Sequence, residues 1–386
     1  MASTITCDVA IVGGGLAGGL LALALRARHP DLDLRLIEAG DRVGGNHVWS
    51  FFGADVTVAD RWLLTPLVSH AWPGYDVAFP AHARTLRQPY YSIESERLDA
   101  VVRAALRPDQ LMLGAKVLTV APTAVVLQSG DRVEARGVVD ARGAADLSRL
   151  DLGWQKFLGR ELRLDAPHGR TRPVVMDATV PQLDGYRFIY CLPFGPDRMF
   201  VEDTYFSDTN KLSPPTLRKR VDGYAQARGW SVAECLREEV GVLPITLGGD
   251  FEAYWQSGAR GVAKIGMRAG LFQPATGYSL PDAVRSAVLM AGRSDFDGTA
   301  LHEASYLHAK ATWRERRFYR ILNAMLFRAA DPPERYRVIQ RFYRMGPNLV
   351  RRFYAGQSTL ADKARILSGK PPVPIGRALM ALRGVS

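Results

Sequence analysis

Apolar positions follow three rhythms along this chain. Residues 6–12 form a strand-like segment ending in the apolar run Val9 to Val12, residues 13–15 are glycines, residues 16–28 repeat apolar positions at helical spacing, and residues 33–38 form a second strand-like segment around Leu34, Leu36 and Ile37. The opening is therefore predicted as strand, glycine turn, helix and strand, a βαβ start. An aromatic, irregular stretch follows over residues 49–91, then a helix to Leu106 with Ser95 as its N-cap. Short strands are predicted near 116–120, 124–128 and 133–139, ending at Asp140-Ala141-Arg142-Gly143. From 154 to 245 the pattern alternates with period two, as in 186–191, a turn at 194–197, and 199–205. A strand at 261–266 and a helix from Ser279 return to the first pattern. From Gly298 onward the segments are helical, with a proline-rich tail at 371–374. No internal repeat is visible.

These rhythms predict an α/β fold: a Rossmann-like nucleotide domain, an interposed β-sheet substrate domain and a C-terminal helical region. The predicted nucleotide domain comprises residues 1–52, 92–150 and 251–297, the β domain 53–91 and 151–250, and the helical region 298–386. A chain of 386 residues with 47% apolar and 23% charged side chains can bury two such cores and shows no disorder signature. Cys7, Cys191 and Cys235 are too scattered for a disulfide framework or a metal site, and the seven histidines form no metal motif. A reducing cytoplasm and no metal are expected. Residues 9–25 are apolar but include five glycines, and no cleavage site frames them, so a signal peptide is excluded. No other stretch reaches the roughly 20 apolar residues that span a bilayer, so membrane contact is expected to be peripheral.

The net charge of +11 is unevenly placed. Residues 301–386 hold 17 Lys and Arg against five Asp and Glu, leaving about −1 for the first 300. There, Arg314, Arg316, Arg317, Arg320, Arg328, Arg341, Arg344, Arg351 and Arg352 interleave with aromatics such as Phe318, Tyr319, Phe327, Phe342, Tyr343 and Phe353. That mixture suits anionic headgroups with rings at the interface. An arginine-rich helical domain with an aromatic core gives the same pattern. No nucleic-acid motif accompanies the charge.

Gly13, Gly15 and Gly18 form GxGxxG between a strand and a helix, where glycine permits the tight turn and approach to a pyrophosphate held by helix N–H groups. Glu38, 20 residues beyond Gly18 at the end of the second strand, is placed to accept from ribose hydroxyls. Arg42, Gly44 and Gly45 add an RxGG extension that resembles the FAD domains of glutathione-reductase-like flavoproteins, so FAD is favoured over NAD. The segment 138–143, with Gly143, is similar to their second FAD segment. The segment 266–277, with Gly270, Pro274 and Gly277, is similar to the one that meets the isoalloxazine. Arg97, at a helix start, is a phosphate candidate and equally a surface arginine.

The resemblance narrows further. Gly44-Gly45-Asn46-His47-Val48-Trp49-Ser50-Phe51, Pro167-His168-Gly169-Arg170-Thr171-Arg172-Pro173, Leu243-Pro244-Ile245-Thr246-Leu247 and Thr276-Gly277-Tyr278-Ser279-Leu280-Pro281 are similar to segments of the bacterial lycopene β-cyclases. The match runs through the whole chain in order. It implies closure of the acyclic ends of lycopene and other acyclic carotenoids to β rings, with FAD active in its reduced form, NAD(P)H as electron donor, and a location at the cytoplasmic face of the bacterial inner membrane. By resemblance the catalytic acid is Glu202, in Phe200-Val201-Glu202-Asp203-Thr204, where valine replaces the family's leucine. Side chains alternate on a strand, so Glu202 shares a face with Phe200, Thr204 and Phe206 while Asp203 points away. Glu239 reads first as a solvated charge after a helix and second as another site carboxylate. The aromatics from Trp49 to Tyr91 are core or polyene-tunnel residues. A flavin redox enzyme acting on carotenoids would share the fold without needing Glu202, and a prenyl-lipid binding protein would keep the fold without the flavin, against which GxGxxG, Glu38 and RxGG argue.

Overall fold

The computed structural model describes residues 3–369 and 373–381, so Pro371 and Pro372 of the expected tail lie outside the described residues. The first sheet has Leu34–Ile37, Thr4–Val12 and Arg132–Asp140 side by side and parallel, with Leu111–Met112 and Ala263–Lys264 added in parallel. Val117–Ala121 and Ala124–Leu127 extend one edge as an antiparallel meander. Parallel strands buried on both faces require continuous apolar runs, and Val9 to Val12 and Leu34 to Ile37 are all buried. Helix Leu16–Arg28 crosses over this sheet and packs Leu20, Leu21 and Ala24 in one core with Ala283, Val284 and Ala287 of helix Leu280–Ala291.

The second sheet is longer. Its order is Val232–Gly249, Leu150–Leu164, Arg198–Ser207, Tyr186–Pro193, Val174–Asp177, Tyr75–Phe79 and His82–Leu86, antiparallel except where Val174–Asp177 runs parallel to Tyr75–Phe79. One face packs Leu158, Ile189 and Val201 against Leu217 and Val221 of helix Pro214–Ala227. The opposite face carries Tyr186, Phe188, Tyr190, Phe200 and Phe206, packed against Phe52, Tyr75 and residues of the C-terminal helices. The stretch read as irregular contains, besides Tyr75–Phe79 and His82–Leu86, the strands Val48–Phe52, His70–Trp72 and Tyr90–Glu94, which form a separate three-stranded sheet.

Two local expectations are corrected. Ser95 is the first residue of helix Ser95–Ala105 and does not cap it; its hydroxyl accepts instead from the His47 amide (3.1 Å). The strand expected at 261–266 shortens to Ala263–Lys264 and turns into the Gly266–Ala269 helical turn.

The C-terminal helices are tied inward. Arg316 donates two hydrogen bonds to Asp282 (2.6 and 2.7 Å) and one to the Phe272 carbonyl (3.0 Å), all buried. The Asn323 amide bridges the carbonyls of Thr246 and Pro274, both at 2.8 Å. Arg320 lies over the Trp313 ring (3.9 Å), and Arg335 reaches Asp208 and the Phe327 carbonyl, each at 2.8 Å. Part of the basic-aromatic stripe is therefore core, while Arg314, Arg317, Arg344, Arg351 and Arg365 are exposed.

Candidate functional site

Three cavities lie end to end through the molecule. The first, about 470 Å³, is walled by Gly13, Gly15, Leu16 and Ala17 at the helix start, Glu38 and Ala39, Gly44 and Gly45, His47 and Trp49, Ala141 to Gly143, and Gly266, Met267 and Ser279. Its form follows from the glycines. Gly13 has φ +103°, and a Cβ there would lie 2.9 Å from the Arg142 nitrogen; at Gly18 it would lie 1.9 Å from the Gly13 carbonyl oxygen. Gly18 thus acts from behind, letting the helix close on the turn, while Gly15 and Gly143 face open space. Glu38 Oε2 accepts from the Gly14 amide (2.6 Å) and Oε1 from the Gly40 amide (2.7 Å). A carboxylate has about four acceptor positions, so two amides leave room for ribose hydroxyls. A helix N-terminus, an oriented carboxylate and bare backbone on three sides fit a dinucleotide.

Other candidates fall outside this wall. Arg42 pairs with Asp41 at the surface (3.3 Å), and the Arg97 Nε donates to the Pro66 carbonyl (2.7 Å). Gly270 turns the chain in the left-handed region beside Tyr254, and the Pro274 carbonyl is taken by Asn323. Gly277, also left-handed, lines the second cavity. Arg142, which sequence reasoning passed over although it stood within a quoted segment, lines the first cavity and is locked by two bonds to buried Asp140 (2.9 and 2.8 Å).

The second cavity, about 250 Å³, shares His47, Trp49, Met267 and Ser279 with the first. Sheet register builds it. Glu239, Gly159, Glu202 and Tyr190 stand in one row across four adjacent strands, so their side-chain positions face the same way. Gly159 leaves a gap that the Phe200 ring fills, since a Cβ there would lie 2.3 Å from it; Gly241 is likewise covered by Phe157. Glu202 faces the cavity among Tyr90, Tyr190, Leu192, Phe200 and Tyr278. Thr204 Oγ1 donates a hydrogen bond to its Oε1 (2.6 Å). Burial, and then the charge of Glu239, push its carboxyl up to about 8. Asp203 points to the opposite face, clamped by Arg187 at 2.7 to 3.0 Å.

Glu239 corrects its first reading. It is 5% exposed, inside the long strand Val232–Gly249, and lines the same cavity as Glu202. Oε1 is 2.8 Å from His47 Nδ1 and Oε2 accepts from the Val48 amide at 3.0 Å. That hydrogen bond raises the His47 pKa.

The third cavity, about 360 Å³, is nearly all apolar and shares Gln155, Tyr190 and Tyr278 with the second. It continues past Phe52, Phe188, Phe206, Ile321 and Phe342 to Leu367 and Ala378 in the C-terminal helices. Of the aromatics singled out between 49 and 91, Trp49, Phe52 and Tyr90 line cavities. Phe51, Trp72, Tyr75 and Phe79 are packed in the cores, and Trp62 is exposed.

Residues 8–380 match the model of the lycopene cyclase protein family. The chain belongs to the lycopene cyclase family. Among its relatives, the lycopene beta-cyclase of Pseudescherichia vulneris is 48% identical over 374 residues, covering 97% of this chain and 96% of that one. That of Pantoea ananas is 45% identical, covering 97% of each. The chloroplastic enzyme of Arabidopsis thaliana is 26% identical over 74% of this chain and 59% of its own. Among solved structures, this cyclase-family chain shares its fold with a geranylgeranyl bacteriochlorophyll reductase-like protein from Thermoplasma acidophilum (TM-score 0.62, 14% identity, 99% of each chain). It shares it also with p-nitrophenol 4-monooxygenase from Pseudomonas putida (TM-score 0.58, 16% identity, 95% of this chain and 97% of that one).

Proposed function

We propose that this protein is a lycopene β-cyclase in which Glu202 is the acid that starts ring closure. The observation that carries the acid assignment is the position of Glu202, at the junction of an apolar channel and a dinucleotide-shaped cavity, with a carboxyl pushed up to about 8. An alkene is a poor base, so its proton donor must remain protonated near neutrality, which apolar burial achieves. Glu202 protonates C2 of the terminal double bond, the C5=C6 π pair closes the C1–C6 bond, and loss of the C6 proton forms the ring alkene. No atoms are gained or lost. The channel residues hold the polyene extended, and the rings of Phe200, Tyr190 and Trp49 exclude water and face the developing cation. Gly13, Gly15, Glu38, Gly44, Gly45 and Gly143 would hold FAD, which when bound and kept reduced by NAD(P)H would supply electron density beside the reacting ring end.

The channel reaches the C-terminal helices, where Leu360 (83%) and Leu367 (54%) are exposed near Arg365. No helix of the described residues is long and apolar enough to cross a membrane. The exposed leucines at the end of the channel support uptake of a bilayer-dissolved carotenoid there; we propose that the enzyme binds peripherally, at the cytoplasmic face of the bacterial inner membrane. The test is anaerobic incubation with lycopene in liposomes, FAD and NADPH in D2O. β-Carotene carrying deuterium at C2 is expected from the wild type and not from Glu202→Gln. A product of altered formula would replace the cyclase with a redox enzyme, and an active Glu202→Gln would remove the acid.

A further inference from the structure

The second cavity holds two carboxyl groups in opposite environments. Glu202 sits among rings and has the single hydroxyl of Thr204 for support. Glu239, two strands away in the same row, lies 2.8 Å from His47 Nδ1 and accepts from the Val48 amide at 3.0 Å. The charged groups of the neighbouring row engage one another. In the neighbouring row Glu161 is paired with Arg198 (2.7 Å) and lies 4.0 Å from Arg237, which also holds Glu96 (2.6 Å). Tyr90, Tyr190 and Tyr278 are phenols held far from ionisation by burial. Two carboxyl groups in one cavity, one set among aromatic rings and one held by polar partners, can divide the roles of acid and base.

Resting on the cyclase reading above, we propose that Glu239 is the base that receives the C6 proton, with His47 and the Val48 amide holding its carboxyl group in place. The step balances. Glu202 gives a proton to C2, the C1–C6 bond forms and leaves the cation at C5, the C6–H pair closes C5=C6, and the released proton joins a Glu239 oxygen. One proton enters and one leaves, which a rearrangement without change of formula requires. The Phe200 ring over Gly159 lies between the two carboxyl groups, so each serves its own carbon of the substrate: one proton is given at C2 and a different one is taken from C6. His47 belongs equally to the wall of the dinucleotide cavity, and its side chain is 51% exposed. It therefore links the base to solvent.

The location of the base decides which proton is lost, and so the ring type. The experiment compares wild type, Glu239→Gln and Glu239→Asp in lycopene liposomes with FAD and NADPH, after flavin absorbance and melting curves show that each variant folds and loads. Glu239→Gln is expected to form β rings about 10²-fold more slowly or worse. Its residual product should shift toward rings with the double bond at C4=C5, because the C5 cation loses a C4 proton when the C6 acceptor is gone. Glu239→Asp, which keeps a carboxylate, should restore part of the rate and the β regiochemistry. Glu239→Gln making β rings at the wild-type rate overturns the assignment, as does Glu239→Asp as inactive as Glu239→Gln. If the wild type changes the carotenoid's formula, the cyclase reading falls first.

Discussion

The first and second cavities touch, yet they are made of different materials. The dinucleotide cavity is walled chiefly by backbone. Gly13 to Ala17, Gly44, Gly45 and Gly143 offer amides and close approach, and Glu38 is fixed by two of those amides. The acid cavity is walled by side chains from strands far apart in sequence, aligned by the register of Glu239, Gly159, Glu202 and Tyr190. A backbone site should fail when a Cβ is added; a side-chain site should fail when one functional group is changed at constant volume.

Four measurements sharpen that contrast. The largest effect is expected from Glu202→Gln, which preserves shape and removes the proton: β-ring formation in the liposome assay should fall by about 10³-fold or more with flavin content unchanged. Gly18→Val comes next. Its side chain would overlap the Gly13 carbonyl, so the helix must shift, costing about 1–3 kcal/mol in melting experiments, and flavin should be lost on gel filtration although Gly18 touches no cavity.

Third is pH. With the Glu202 carboxyl at about 8, the protonated fraction, and with it turnover, should fall about tenfold per unit above that value. The same group is easier to ionise in the unfolded chain, whose ordinary value is 4.5. Its contribution to stability is therefore complete below 4.5 and lost as pH rises through about 8. The melting temperature of Glu202→Gln, compared with wild type at about pH 6 and about pH 9, should gain on the wild type at the higher pH; equal differences would mean that Glu202 titrates normally. The smallest effect is expected from Arg97→Ala: this side chain holds a carbonyl at the surface, and flavin affinity measured by titration should change less than about twofold.

The same difference in material governs what was legible in the sequence. GxGxxG and Glu38 are local, because a turn, a helix start and a strand end lie within about thirty residues, and their geometry follows from spacing alone. The alternation that sets Glu202 against Asp203 was also local. Glu239 was not. Glu239 reads first as a solvated charge after a helix, whereas the segment is held extended by pairing with Leu150–Leu164 along almost its whole length, a tertiary override of weak strand propensity. Nor could spacing show that Gly159 stands between two acids. The basic C-terminal stripe left two readings open for a related reason: Arg316, Arg320 and Arg335 carry the same charge as their exposed neighbours but are buried against Asp282, Trp313 and Phe327.

The Arg316–Asp282 pair has a consequence for anyone recombining family members. Asp282 belongs to the helix that packs on the crossover of the nucleotide sheet, and Arg316 to the helices that wall the carotenoid channel. Separating them leaves an uncompensated buried charge, costing about 3–5 kcal/mol. Asn323 stitches the long sheet to the loop before Gly277 in the same region. A chimera that takes its channel from one cyclase and its nucleotide domain from another must therefore carry both ends of these connections from a single parent.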